Sequence, residues 1–498
     1  MTVVLTTRSD ITLETFRRVA WEGEDVRIGP AALERMAACR RSFLALLESD
    51  PDITIYGVTT GYGQHAKIKL TPEQRERQAR RPLGAAATSF GEPLPERVTR
   101  GIVLARLANY VDGHAAVSPE LAEAVADMLA GGPLPRVPAL GNGGAGEILP
   151  LSHLFSRLAE GFELGAKGGV ALVNGSPCAA ALIADAALAG RRRLDLAHHV
   201  FALSVEAFKT PLEHFEAALE TLWGDEYEAA ALRSLRAFLE GAGGGRRSYQ
   251  APVSFRILPR VFGQVHRTLA AAERAAGVSL ASVSDNPVYL PPDEAHPHGR
   301  CVSNGGFHNA QAYPALDGLA AAWADLCLLA DRHTTKMLDG AVSGLPNQLL
   351  VGDSDAYMGC VPMAQVGYGE QARHAAQRTF LPGSESGGFG QNDVSPPTFL
   401  AWRKEREAGE CLDAALAMLA AVASQALHVT ERDTPPRLKG LLDEVRGVFP
   451  PPVDRSPFLG RDCERLAKAF TDRVFTPAGS ASWGSGGATG RPAARAGA

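Results

Sequence analysis

The chain has 498 residues, of which 45% are hydrophobic and 21% charged, enough apolar material to bury a large core. A net charge of -5 and a pI near 6.3 give no basic footprint of the kind that nucleic acid or an anionic membrane surface requires, so neither is expected as a partner. Seven cysteines (Cys39, Cys178, Cys301, Cys327, Cys360, Cys411 and Cys463) stand apart with no C-x-x-C pair. Buried thiols in a reducing cytosol are expected, rather than a disulfide framework or a thiolate metal site.

Taken in chain order, the first thirty residues carry Arg8, Asp10, Glu14, Arg17 and Arg18, which leaves no apolar core for a signal peptide. No stretch approaches the roughly 20 uninterrupted apolar residues of a membrane span. A cytoplasmic protein is the expectation. Ile53-Thr54-Ile55-Tyr56 is the best β-branched run and predicts a short strand. Beyond it lie two glycine-rich segments, Tyr56 to Gly63 and Gly141 to Gly146, the second running straight into an apolar stretch from Ile148. Further loops are predicted at 241–245, at Pro291-Pro292 and from Gly383 to Gly390. Between Ala312 and Leu338 the residues Leu316, Leu319, Trp323, Leu326 and Leu329 recur at helical spacing, as do Leu412, Leu416, Leu419 and Val422 between Glu410 and Thr430. Each set shares one face of a helix and needs a packing partner there. The chain is therefore mainly α. The end, from Pro477 to Ala498, is rich in Gly, Ala and Ser and lacks apolar periodicity, so disorder is expected.

Five segments carry a resemblance to histidine and aromatic amino-acid ammonia-lyases and aminomutases. Gly141-Asn142-Gly143-Gly144-Ala145-Gly146-Glu147-Ile148-Leu149-Pro150-Leu151-Ser152-His153 resembles that family's Gly-x-x-Gly-Ala-Ser-Gly-Asp-Leu-x-Pro-Leu-x-His loop. There an Ala-Ser-Gly tripeptide cyclises and dehydrates to the electrophile methylideneimidazolone (MIO). Tyr56-Gly57-Val58-Thr59-Thr60-Gly61-Tyr62-Gly63 resembles Tyr-Gly-x-x-Thr-Gly-Phe-Gly, and the stretch Lys167 to Ser176 resembles Lys-Glu-Gly-Leu-Ala-Leu-x-Asn-Gly-Thr. Gln250 to Arg256 resembles Gln-Asp-x-Tyr-Ser-x-Arg; Ser284 to Pro287 with Ser303 to His308 resembles Ser-x-Asn-Pro and Ser-Gly-Gly-Asn-Phe-His.

The resemblance implies a histidine/phenylalanine ammonia-lyase-like fold with a central long-helix bundle, assembled as a homotetramer whose sites draw on several subunits. By analogy, residues 1–200 form an N-terminal loop-bearing domain, 201–476 the bundle and 477–498 the tail. It implies Tyr56 as the proton-abstracting base, Asn174 beside the loop, and Arg256 as the clamp on a substrate carboxylate, for which a guanidinium fork is suited. Phe307 and His308 would frame the pocket. Gln391, with Asn392 and Asp393, would supply a polar cluster, and Gly143, Gly144 and Ala145 the substrate-facing loop. Each has a plainer reading: Tyr56 as a packed ring, Arg256 as a solvated surface residue, Asn174 as a turn asparagine favoured before glycine, and His308 as a structural histidine.

The departures are as informative. Read back from Pro150-Leu151-Ser152-His153, the tripeptide falls on Gly144-Ala145-Gly146, with no hydroxyl to eliminate. No cofactor is therefore expected, and no metal. Val253, Gly306 and Gly168 stand where the family has Tyr, Asn and Glu. The ring-contacting Leu-Gln-x-Asn-Leu-x-x-Ser-His segment is replaced by the stretch from Arg77 to Ala87, where Arg80 and Arg81 either face solvent or meet an acidic group. The expected activity is an MIO-independent carbon–nitrogen elimination, or a related proton transfer, on an α-amino acid or a betaine of the histidine or ergothioneine type. A conventional ammonia-lyase or aminomutase, and a non-catalytic homologue that binds an amino acid or serves as a subunit, are the alternatives.

Overall fold

The computed structural model describes residues 2–80, 83–352, 356–383, 390–453 and 458–472; Arg81 and the tail from Pro477 lie outside them. The chain is mainly α. Among the described residues the strands form two small ribbons, Thr2–Leu5 paired in parallel with Asp25–Ile28 and Val288–Leu290 paired antiparallel with Arg300–Val302. The strand expected at Ile53 to Tyr56 does not form. The Ile55 carbonyl accepts the N–H groups of Val58, Thr59 and Thr60, while the Thr59 hydroxyl bonds the Ile55 N–H and the Ile53 carbonyl. A turn consumes the groups that a sheet ladder needs.

Seven helices place the site: α1 (Glu96–Leu107), α2 (Gly168–Val173), α3 (Pro177–Ala207), α4 (Leu258–Ala281), α5 (Ala312–Leu338), α6 (Val361–Ala375) and α7 (Thr398–Val429). The faces read from Leu316 to Leu329 and from Leu412 to Val422 are buried in α5 and α7. Side-chain contacts give the directions. Arg97 and Gly101 of α1 meet Asp185 and Ala181 of α3, so these two run antiparallel. Phe262 and Leu269 of α4 meet Phe201 and Gly190 of α3, again antiparallel. Trp323 of α5 packs at Gly190 and His333 bonds Ser204, so α5 runs with α3. In α6, Gln365 reaches Ala415 and Gln371 reaches Glu407 of α7, which sets that pair antiparallel.

Helix α3 is the axis. It is apolar nearly all round, with buried Cys178, Ala179, Ala180, Ala181, Leu182, Ile183 and Ala184 in its first turns, the pattern of a helix enclosed by neighbours. Gly190 marks a close crossing, where an added Cβ would stand 3.0 Å from Leu269 and 3.2 Å from Trp323. Contrary to the reading of the sequence, the segments Gly168–Ala207 and Thr398–Val429 are long and apolar enough to cross a membrane, yet 94% and 83% of their most apolar windows are buried inside the protein. Bundle neighbours cover the surface that lipid would otherwise meet.

Where α3 crosses α7, buried Arg193 pairs with Glu405 and Asp413, and Trp323 Nε1 donates to Glu405 at 2.8 Å. Burial pushes the Glu405 carboxyl up to about 7 despite these partners. The guanidinium lies flat on Gly409, where any Cβ would collide with it. Because two carboxylates hold Arg193, it cannot swing aside without stranding buried charge. Gly409→Ala is therefore expected to destabilise the fold by about 1–3 kcal/mol, the usual scale of core overpacking, read as a lowered denaturation midpoint with native spectra retained below it. An unchanged midpoint would show that the arginine gives way freely.

Candidate active site

The Gly141 to Gly146 loop takes a backbone path that depends on glycine. Gly141, Gly144 and Gly146 have φ of 71°, 119° and 75°, and the value at Gly144 is one that alanine scarcely visits. No heavy atom lies within 4 Å of where a Cβ at Gly143 or Gly144 would stand, so the loop's apex borders open space. Ala145 behind it is buried.

Glu147, next in the chain, is itself left-handed at φ 55°, ψ 31° and almost wholly buried. Its carboxylate accepts the Cys178 N–H at 2.6 Å and the Ala179 N–H at 2.8 Å. These are first-turn amides of α3, whose N-cap residue Ser176 makes no side-chain capping bond. The loop thus supplies the anion that a buried helix N-terminus calls for. Burial raises the Glu147 carboxyl to about 7, against the lowering effect of the Ala179 and Cys178 amides and of the Arg106 charge.

Asn174 ends α2, and its Oδ1 lies 3.3 Å from the position of a Cβ on Gly146. Its carbonyl accepts from Arg106 Nη1. The Ser176 N–H donates to Ser284 Oγ at 2.9 Å, the Ser284 N–H to Asn109 Oδ1 at 2.7 Å, and Asn304 Nδ2 to the Asp285 carbonyl at 3.1 Å. Through these links the Ser303 to His308 segment, with half-buried Phe307 and His308, joins the neighbourhood of Asn174. Buried Lys167, left-handed at φ 67°, pairs with buried Asp285 and ties the base of α2 to the same segment. Tyr56 approaches from the other side. Its hydroxyl accepts the Gly63 N–H at 3.1 Å, its ring meets Tyr62 edge-on at 6.3 Å, and the backbone at Gly57 faces Val170 of α2.

Seven of the twenty buried side-chain polar atoms without a partner, among the described residues, belong to Arg106, Asn109, Asn142, Ser152, His153 and Asn174. Protein interiors pair such groups almost completely, so their concentration beside one loop marks a place that water or a ligand completes.

The remaining candidates lie elsewhere. Phe255, adjacent to Arg256, stacks on Phe208 at 4.2 Å and on His333 at 3.7 Å, at the C-terminal end of α3. Arg256 Nε donates to its own Ala251 carbonyl at 2.9 Å. Since the loop grips residues 178 and 179 at the other end of this 31-residue helix, about 40 Å separates the two within one chain. Gln391 is exposed just before α7, with Asn392 half-buried and Asp393 exposed. Arg80 resolves to a surface pair with Glu76 at 2.7 Å. A surface cleft runs along Leu70, Gln74, Arg77 and Gln78, with none of the candidate groups in its lining.

The model of the aromatic amino acid lyase family matches residues 11–163 and 156–447. The chain belongs to the aromatic amino acid lyase family. Among its relatives, the histidine ammonia-lyase of Deinococcus radiodurans is 33% identical over 369 residues, covering 68% of this chain and 69% of the relative. That of Streptomyces coelicolor is 31% identical, covering 91% and 94%. The fold is similar to that of an ergothioneine-degrading ergothionase from Treponema denticola, with a TM-score of 0.84 at 20% identity covering 95% of this chain and 99% of that one. It is also similar to a histidine ammonia-lyase from Trypanosoma cruzi, at 0.82 and 21%, covering 95% and 93%.

Two residues packed beside the candidate loop escaped the sequence reading. Glu147 stood inside the quoted loop, where the resemblance has a shorter aspartate. Arg106 carried a fainter signal, a single cation within the apolar run from Gly101 to Val111. The Glu147 environment makes a pH prediction. Its folded pKa lies above the unfolded value of 4.5, so its contribution is fully present below pH 4.5 and is lost as pH rises through about 7. Glu147→Gln removes that titration. The stability of the wild type relative to this variant should decline across that interval, a comparison that cancels the similar titration of Glu405. A difference independent of pH would refute the assignment.

Proposed function

We propose that this lyase-family chain eliminates an amine from an α-amino acid or its trimethylammonium betaine, of the histidine or ergothioneine class, without MIO. The observation that carries the reading is the tripeptide Gly144-Ala145-Gly146, which has no hydroxyl from which a methylidene could arise, set beside a retained Tyr56 and Asn174. The residues present do not fit the family's electrophile. What they fit is an elimination whose leaving group needs no activation. A quaternary trimethylammonium departs as neutral trimethylamine: a base takes the β-proton, the C–H electrons form the C=C bond, and the C–N pair leaves with nitrogen. Tyr56 is the proposed base, acting where a positioned acceptor is worth roughly 10²–10⁴-fold. The ergothioneine-degrading neighbour supports a betaine substrate. A conventional ammonia-lyase or aminomutase is the second reading, favoured by the histidine ammonia-lyase relatives and the aminomutase folds.

The roughly 40 Å between Arg256 and the loop within one chain supports a site shared between subunits, as in the homotetramer that the resemblance implies. In that assembly Arg256 of the partner subunit closes the site and holds the substrate carboxylate, while Gln391 of the partner subunit adds polar lining. The described cysteines are all free thiols, which suits a cytoplasmic enzyme.

The mass of the intact protein should equal that of the unmodified chain. A deficit of two waters, about 36 Da, located at residues 141–149 would restore the conventional reading. Against a panel of α-amino acids and their trimethyl betaines, trimethylamine and a conjugated acid are the expected products.

Tyr56→Phe should lower turnover by about 10²-fold or more with little change in binding, and Arg256→Lys should weaken carboxylate binding more than it slows chemistry. At substrate levels that do not saturate Arg256→Lys, co-refolding the two variants should give more activity than the sum of the two alone, because some mixed sites draw an intact Tyr56 and an intact Arg256 from different chains. Activity equal to that sum would exclude a site shared between subunits.

A further inference from the structure

We infer that Arg106 is a positioning residue of this site, a two-point clamp with Tyr110 that fixes the end of α2 and so aims Asn174 at the Gly146 backbone. The inference rests on the elimination reading for its kinetic consequence but not for its geometry. Antiparallel packing on α3 brings the C-terminal turn of α1 in front of α3's first turn, and Arg106 stands there with no exposed surface. Its Nη1 donates to the Asn174 carbonyl. One turn on, the Tyr110 hydroxyl donates to the Ala171 carbonyl at 2.8 Å. The guanidinium lies over the Tyr110 ring at 5.6 Å. Two side chains four residues apart, at the end of α1 and in the turn that follows it, thereby hold the Asn174 and Ala171 carbonyls, which fixes both the azimuth and the height of α2's last turn.

The close fit shows in Gly175, whose φ of 123° suits glycine and where a Cβ would stand 2.9 Å from Arg106 Nη2 and 3.0 Å from Ser284 Oγ. Among the described residues no carboxylate forms an ion pair with Arg106, and its Nε and Nη2 have no partner. A buried guanidinium in that state is costly. A structural anchor needing only one donor would not require it. The charge is instead placed where it acts on Glu147, so one side chain fixes Asn174 and biases the carboxylate beneath the loop.

The test uses the full chain with Arg106→Met and Arg106→Lys, read by native-state amide exchange. The methionine variant should exchange at least about ten-fold faster at 141–148 and 171–176 while α5 and α7 stay unchanged; the lysine variant, keeping charge and one donor, should fall between it and the wild type. If the methionine variant does not fold, the lysine variant must show the same local pattern. On any substrate that the wild type converts, kcat should fall by about ten-fold or more in the methionine variant, with KM within about three-fold. Exchange that is unchanged, or faster throughout the chain, overturns the clamp. A raised KM at constant kcat makes Arg106 a binding group instead and overturns the assignment. A wild type that converts nothing in the panel sinks the elimination reading alone, and the exchange pattern then decides for Arg106 by itself.

Discussion

The start of α3 is the constraint on which the rest of this structure depends. A helix enclosed by its neighbours has no water at its N-terminus, so each donor there needs a protein partner. The accounting closes residue by residue. Ser176 donates to Ser284 Oγ, Pro177 has no N–H to satisfy, and Cys178 and Ala179 both donate to the Glu147 carboxylate. Three separate stretches of chain, the glycine loop, the end of α2 and the Ser284 segment, are drawn to one point by those donors. Three of the five segments that the resemblance reads as catalytic motifs supply, in physical terms, the groups that a buried helix terminus requires.

The same helix also limits what one chain can do. An α-helix rises 1.5 Å per residue and does not fold back, so groups docked at opposite ends of α3 never meet within a chain. Phe255 and His333 bind the α5 helix and the Arg256 turn to the C-terminal end through ring stacking and the Ser204 hydrogen bond. The loop is held at the other end. The rigidity that positions Asn174 so well is what keeps Arg256 away from it.

Much of the helical bundle was legible because it follows from periodicity: the α5 limits Ala312 and Leu338 and the apolar face from Leu412 to Val422 come directly from the spacing of large residues. Ile53 to Tyr56 was misread because β-branched composition says nothing of Thr59, whose hydroxyl captures the Ile55 amide and converts the run into a turn. The short ribbon of Thr2–Leu5 on Asp25–Ile28 escaped because its four-residue pairing is non-local. In the site, Asn174 and the loop were found through motif spacing, and the structure sets them against each other. Arg256 was proposed in the same way, but spacing along a chain carries no information on which end of a long helix a residue docks against. Arg106 was missed because its significance lies in burial and in two unpaired N–H groups, neither of which is a property of sequence alone.

Two replacements in the loop belong together. At φ 119° Gly144 takes a path closed to the alanine of the resembled motif, so the backbone approaches α3 from a direction that motif does not specify. A carboxylate must still reach the amides of Cys178 and Ala179, and Glu147 has one methylene more than aspartate with which to do so. The longer side chain caps the helix from a left-handed conformation, an uncommon one for a non-glycine residue. Ala145, which carries no hydroxyl, sits between these two residues, in a segment anchored on α3 through Glu147. With the grip on α3 fixed by folding, the apex at Gly143 and Gly144, bordered by open space, is the part of the loop free to meet a ligand.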